Sequence, residues 1–316
     1  MRKTRVLSIA LEPPAEATDR LERNRNAIIE ALELAEGYDP DFVCFPEYCL
    51  QYASDAPFEI AEPIPGPTTD LVGEYADRIG TAVLVPMIEE DAGSIYNATA
   101  FVGADGSVRG AYRKQRPTVS ELEGGVIPGE SLGLFDTSHG RIGTITCFDV
   151  NFDRIGTSLA RERPKIVFFP SLFPGGDLLT AWARHYGTYV VKCTPTAAAT
   201  ISPTGAFVGE NDDYNIGLTS DLESGGTARL SFAEINTDFE QYHLDFNTEA
   251  LRDIQRTYPG ETEVHKASEE AWVILKSISP KVSIEDMESE FGLENRWAYL
   301  DRSIAECEAS LEEHGS

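Results

Sequence analysis

Apolar runs of strand type and stretches of helical spacing alternate along the chain up to about residue 237. Val6–Leu11 is an apolar run interrupted only by Ser8 that predicts a buried strand. The stretch 18–36 follows with Leu21, Ile28, Ile29, Leu32 and Ala35 on one helical face and Gly37 as its stop. Asp41–Phe45 is the next strand-type run, and Pro46, which has no N–H to give a sheet, ends it and places Glu47 at the strand's end. A proline-rich stretch, Pro63–Pro67, leads to a helix over 68–78 and strands over 82–88, 96–102 and 108–112. Gly103-Ala-Asp-Gly106 forms the hairpin turn between the last two, because Asp-Gly tolerates positive φ. The pattern continues with a strand over 141–146, a helix over 154–162, a strand over 165–169 ended by Pro170, and a helix over 177–186. Strands over 189–193, 205–209, 215–222 and 227–235 complete it. Alternating strands and helices predict an α/β fold whose chemistry gathers at the carboxyl ends of strands.

Beyond residue 237 the character changes, with a helix over 248–256, a strand over 271–276 and a helix from Glu294. That last helix carries Trp297, Leu300, Ile304, Cys307 and Leu311 at helical spacing, a stripe expected to pack on the core or on another subunit rather than hold a cofactor. The expected division is a domain over 1–237 and an α/β extension over 238–316.

Charge narrows the range of partners. The 316 residues include 53 Asp and Glu against 26 Lys and Arg, a formal net charge of -27 that repels nucleic-acid phosphates and anionic membranes. Only 7 of the 26 basic residues are Lys, which with the acidity suggests a high-salt cytoplasm that screens the self-repulsion. The basic start before Val6–Leu11 imitates a signal peptide, but the run is too short and Glu12-Pro-Pro follows at once, so a cytoplasmic location is expected. Five cysteines, odd in number and without a C-x-x-C pair, fit free thiols in a reducing compartment.

The candidate chemistry lies at three strand ends. Cys147 follows the strand over 141–146 and precedes a loop that leads into a helix, so its thiol can face a pocket mouth; by type alone a cysteine is a small buried hydrophobe. The His residues give no recognisable Cys–His signature. Glu47 and Lys114 also stand at strand ends. A carboxylate can take the thiol proton, while an ammonium stabilises a thiolate and an anionic tetrahedral intermediate.

An ordered set of landmarks accompanies these residues: Phe45-Pro-Glu47, Ile64-Pro-Gly-Pro67, Tyr96-Asn97, Tyr112-Arg-Lys114, Gly140-Arg-Ile-Gly143, Cys147-Phe-Asp149, Phe169-Pro-Ser171 and Ser202-Pro-Thr-Gly205. In this the chain resembles the nitrilase, or carbon–nitrogen hydrolase, superfamily over about residues 4–237, on its amidase-like branch. The resemblance implies a four-layer α-β-β-α sandwich and a Cys147 nucleophile that forms a thioester, with Glu47 as general base and Lys114 as electrophilic cation. It also implies that Glu121 steadies the lysine, with Glu123 as the fallback, and that the Phe148 N–H joins Lys114 at the oxyanion. Tyr48, Ser171, Leu172 and Phe173 adjoin the triad strands as pocket candidates. No metal or organic cofactor is implied, and the subunits are expected to form a homodimer or larger homo-oligomer.

Cys147-Phe-Asp149 favours a small amide or N-carbamoyl substrate over a nitrile. A true nitrilase, a thioester-using acyltransferase, a glutaminase subunit and a non-catalytic binder or scaffold are the rival readings. Two departures from the family pattern, Asp153-Arg154 and His185-Tyr186, bear on the pocket or on helix packing. Cys44 reads as core, and Asn97-Ala-Thr99, although a glycosylation sequon, reads as a strand start.

Overall fold

The computed structural model describes residues 2–13, 19–211, 217–267 and 270–315, so the start of the predicted helix at Thr18 and of the predicted strand at Asn215 lie outside the described residues. Contacts divide the chain into one unit of Thr4–Leu159 and Pro164–Ile235 and a second of Met1–Lys3, Ala160–Arg163 and Asn236–Ser316.

In chain order the strands of the larger unit are β1 (Lys3–Glu12), β2 (Phe42–Cys44), β3 (Ala82–Asp91), β4 (Ser94–Val102), β5 (Val108–Arg113), β6 (Gly133–Thr137) and β7 (Gly140–Thr144). β8 (Ile166–Pro170), β9 (Tyr189–Cys193), β10 (Ala198–Ile201), β11 (Phe207–Asn211), β12 (Leu218–Asp221) and β13 (Thr227–Asn236) follow. They form a seven-stranded sheet in the order β12-β13-β1-β2-β3-β4-β5 and a six-stranded sheet in the order β11-β10-β9-β8-β7-β6. Each sheet has a parallel centre, β1-β2-β3 in one and β7-β8-β9 in the other. Parallel strands need helical crossovers, here α1 (Arg20–Glu36) and α2 (Pro67–Ile79) beside the first sheet, and α4 (Asp153–Arg161) and α5 (Gly176–Tyr186) beside the second. A short helix, α3 (Val119–Glu123), lies between β5 and β6.

Side-chain alternation decides the layers. Leu7, Ile9 and Leu11 of β1 join Ile28 and Leu32 of α1 and Val72 of α2 in one apolar cluster. The other sheet face meets the second sheet: the Phe42 and Phe168 rings lie 5.8 Å apart, and the Cys193 thiol donates to the carbonyls of Ile9 (2.8 Å) and Cys44 (3.2 Å). Cys44 is core, as its run implied. With α5 packed on β9 and β10, the result is the expected α-β-β-α sandwich. Truncating a fully buried residue of the cluster such as Ile28 to Ala costs about 2–5 kcal/mol.

Boundaries shift where hydrogen bonds leave the ladder. The strand expected to run through Thr146 stops at Thr144, because the Thr146 N–H turns to the Asp149 carboxylate (2.9 Å). The strand expected over 205–209 starts at Phe207, since Ser202–Gly205 is a turn closed by the Gly205 N–H on the Ser202 carbonyl (2.8 Å). β6 and β10 carry too little apolar pattern to have been predicted.

In the smaller unit β14 (Phe239–His243), β15 (Thr262–Ala267) and β16 (Trp272–Ser277) form an antiparallel sheet in the order β14-β16-β15, with helices α6 (Leu244–Thr257), α7 (Ile284–Phe291) and α8 (Arg296–His314). Within this unit the α8 stripe is covered only over its first turn. Trp297 is buried and Leu300 half-buried, but Ile304, Cys307 and Leu311 are exposed, because the helix continues past the surface its first turn covers.

Candidate active site

Sheet geometry delivers the three candidate residues to one place. After β2 the Phe45 N–H still bonds the Leu84 carbonyl, Pro46 ends the ladder, and the chain swings through Tyr48 at φ 57 with Glu47 1% exposed. Lys114 follows β5 with its N–H on the Asn97 carbonyl (2.8 Å), and its long side chain, also 1% exposed, runs into the interior. Cys147 opens a single 3-10 turn, Cys147–Asn151, at φ 48, a left-handed conformation that costs a non-glycine residue about 1–2 kcal/mol. What holds it is Asp149. That buried carboxylate accepts from the Thr146 N–H (2.9 Å), the Tyr112 hydroxyl (2.7 Å) and the Arg116 N–H (2.8 Å), tying the cysteine turn to the lysine strand.

One ammonium faces two glutamates. The Lys114 Nζ donates to Glu47 Oε1 (2.9 Å) and to both oxygens of Glu121 (3.1 and 2.9 Å), and Asn97 Nδ2 bridges the same two carboxyls at 2.8 Å each. The Tyr48 hydroxyl donates to Glu121 Oε1, the Thr118 N–H and hydroxyl to Glu121 Oε2 (2.7 and 2.9 Å), and the Leu172 N–H to Glu47 Oε2 (3.0 Å). The Cys147 thiol lies within the electrostatic reach of Glu47, Lys114 and Ser171.

Electrostatics separate the roles these groups can play. Burial and then the Glu47 charge push the Cys147 thiol up to about 11, against the lowering pull of Lys114 and of the Ser171 hydrogen bond, so near neutral pH it is a thiol that needs a base. Burial also works to raise Glu121, but Lys114, Tyr48 and Thr118 outweigh it and hold that carboxyl at about 2. Lys114 is disfavoured as a cation by burial yet raised overall by Glu47 and Glu121. Burial and the two glutamates keep Tyr48 a neutral donor. Glu121 is therefore an anion paired with the lysine, and Glu47 is the carboxyl whose charge acts on the thiol.

A carbon–nitrogen hydrolase family model matches residues 8–229. The chain belongs to the carbon–nitrogen hydrolase family. Among curated relatives, it is 27% identical over 183 residues to omega-amidase NIT2 of Danio rerio, covering 55% of this chain and 65% of that one. It is 32% identical over 124 residues to omega-amidase NIT2 of Homo sapiens, covering 36% and 45%. The chain thus spans less than two thirds of the length of these relatives. In fold it is similar to an amidase from Nesterenkonia sp. (TM-score 0.60, 17% identity, 73% of this chain and 90% of that one). A mutant of the Nesterenkonia sp. AN1 amidase, described as showing Michael addition of acrylamide at its active site cysteine, matches with TM-score 0.61 at 15% identity, over 79% and 99%.

Most of the residues singled out in the sequence meet at this site. Glu121 is the glutamate that contacts Lys114, and Glu123 is exposed. Ser171 is buried and lowers the thiol's protonation, whereas Leu172 gives its backbone N–H to Glu47 and is itself 41% exposed. Phe173 gives its N–H to the Ser171 hydroxyl (3.0 Å). Phe148 stands second in the 3-10 turn, where an N–H has no acceptor within the turn, and its ring meets Phe152 edge-on at 5.4 Å.

Asn97, Thr118, Tyr112 and Asp149 carry the site's second ring of contacts without having been singled out as site residues. Thr118-x-x-Glu121 was legible as a capping box, and the structure shows one, starting α3. Asn97 is neither a strand start nor a surface sequon; it lies buried within β4, between the two glutamates. The two departures from the family pattern belong to one packing contact. The Tyr186 ring lies where a Cβ on Gly156 would stand, and its hydroxyl donates to the Asp153 carbonyl (3.4 Å).

Proposed function

We propose that the chain hydrolyses the carbon–nitrogen bond of a small carboxamide, with N-carbamoyl compounds as the second substrate class. The observation that carries this reading is the buried cluster in which Glu47 Oε1 lies 2.9 Å from the Lys114 ammonium and the charges of both act on the Cys147 thiol. The omega-amidase names of the relatives support the amide class.

Cys147 Sγ attacks the carbonyl carbon while its proton passes to Glu47, and the carbonyl π pair becomes an oxyanion held by the Phe148 N–H and Lys114. The oxyanion pair re-forms the carbonyl, the C–N bond breaks, and Glu47 hands its proton to the leaving nitrogen. Ammonia or an amine departs and a thioester remains. Water then gives a proton to Glu47 and adds to the thioester carbon. Collapse expels Cys147 as thiolate, which recovers the proton from Glu47, and the acid leaves. The cycle uses no metal or organic cofactor, because each proton and each developing charge has a partner in this chain.

The test measures ammonia from aliphatic amides, ω-amides, N-carbamoyl amino acids and nitriles, at low and at molar KCl, together with intact mass. Release from amides with an acyl adduct that disappears in Cys147→Ala is expected. Release from nitriles alone, or an adduct that persists in Cys147→Ala, overturns the reading. The cytoplasmic, high-salt setting is part of the same proposal, and full activity with an unchanged melting temperature at low salt removes it.

A further inference from the structure

The smaller unit carries two unpartnered surfaces of opposite character. One is a groove of about 750 Å³ between α6 and β15. Its floor is apolar, with Leu251, Val264 and Val273, and its rim carries Arg252, Arg256 and Lys266, a local excess of cations on a chain whose net charge is -27. Arg252 and Arg256 are 61% and 73% exposed and, among the described residues, pair with Glu249 and Asp253 of their own helix; such exposed pairs contribute little and are easily exchanged.

The other surface is the far half of α8. Ile304, Cys307 and Leu311 recur at helical spacing on one face, and Ile304 and Leu311 are 49% and 59% exposed. At 100° per residue, Glu308 and Glu312 fall on one flank of that stripe, while Ser303 and Ser310 fall on the other. Glu312 follows Glu308 by four positions, and Arg256 follows Arg252 by four. On a helix that spacing repeats every ~6 Å along one side, so the two rows have matching pitch.

We infer that α8 of one copy docks its Ile304–Leu311 face in the α6–β15 groove of a second copy, with Glu308 and Glu312 meeting Arg252 and Arg256, and that the exchange is reciprocal. An apolar helix stripe laid into an apolar groove is a recurring recognition mode. One-sided charge fixes the direction in which the helix lies. Since each copy owns both surfaces, one two-fold axis satisfies both contacts and closes the assembly.

The experiment is a charge swap read by sedimentation velocity over a micromolar concentration series. Arg252→Glu with Arg256→Glu sets an acidic rim against an acidic helix, and Glu308→Arg with Glu312→Arg sets a basic helix against a basic rim. All four substitutions together restore complementarity. Each double variant is expected to sediment as a smaller species than the wild type, and the quadruple variant to regain the wild-type mass. All these positions are exposed, so unchanged circular dichroism and melting temperature are expected.

Cys307 supplies a readout in the unaltered protein. Its maleimide labelling, located by peptide mapping, slows as wild-type concentration rises and does not slow in the Arg252→Glu, Arg256→Glu variant. The inference is overturned by a wild type that sediments as a monomer throughout, by double variants of wild-type mass, or by a quadruple variant that stays dissociated. Labelling of Cys307 that is independent of concentration overturns it as well.

Discussion

Each unit of the chain contains a cation clasped by two glutamates, and their likeness is instructive. In the larger unit Lys114 lies between Glu47 and Glu121; in the smaller, Arg163 lies between Glu240 (2.6 Å) and Glu288 (2.7 Å). A tyrosine hydroxyl donates to one glutamate in both, Tyr48 to Glu121 and Tyr242 to Glu288. Both include a left-handed non-glycine residue, Tyr48 at φ 57 and Arg163 at φ 56. An ion cluster with a strained neighbour therefore does not by itself mark chemistry. What differs is the cation and what it faces. Lys114 is a point charge, 1% exposed, beside a thiol and a backbone turn. Arg163 is a planar fork, 36% exposed, that joins the residues beside it to β14 and α7.

The sharpest way to test that contrast is Glu47→Gln, which keeps the shape and removes the base. Turnover should fall by about 10⁴-fold with the fold intact. Because the Glu47 charge helps lift the Cys147 thiol to about 11, the variant thiol should ionise more easily and react faster with iodoacetamide at pH 8. Slower alkylation would mean that Glu47 does not control the thiol.

Next comes the pair Lys114→Met and Arg163→Met. The first leaves two buried carboxyls without their cation, and should cost about 3–5 kcal/mol of stability and about 10³-fold in turnover. The second should cost about 1–2 kcal/mol, less because Arg163 keeps 36% of its side chain in water, and leave turnover per folded molecule unchanged. Urea midpoints and kcat measured side by side decide the matter, and an equal loss of kcat in both variants breaks the comparison.

Acid should act through Glu121. Its folded value of about 2 lies below the ordinary 4.5, so between those limits the unfolded chain binds more protons. The stabilisation is complete above about pH 4.5 and is lost as pH falls toward 2. Asp149, raised to about 6, acts oppositely: its effect weakens the fold as pH rises from about 4 to 6. Glu121→Gln should therefore flatten the loss of urea stability below pH 4.5, and an unchanged slope refutes the assignment.

The smallest effect is expected from the tyrosines. Tyr48→Phe and Tyr242→Phe each remove one hydroxyl from a glutamate, buried Glu121 in one case and half-buried Glu288 in the other, at about 1 kcal/mol. Only Tyr48→Phe should lower kcat, by up to about fivefold, because only there does the glutamate aim a cation at a reacting centre.

Much of the layout was legible because it follows from local rules. Pro46 and Pro170 end strands for want of an N–H, Asp105-Gly106 turns a hairpin, and Gly37 stops a helix. β6, β14, β15 and α7 were not legible, since their apolar positions are few and their stability comes from neighbours distant in sequence. Asn97 shows the limit most plainly. In the sequence it is one polar residue at an apolar strand, and only the approach of Glu47 and Glu121, 50 and 24 residues away, makes it the bridge between them.

The sequence by itself determined the order of strands and helices, the charge of the surface, and three strand ends with Glu47, Lys114 and Cys147. Periodicity, proline and glycine act within a few residues and need no fold to be read. Tertiary structure decided which glutamate faces the lysine, how high the thiol's protonation lies, that Asp149 pins the cysteine turn, and that the far half of α8 stands uncovered. Burial, Coulomb interaction and hydrogen bonding depend on distance in space, and no spacing along the chain encodes that distance.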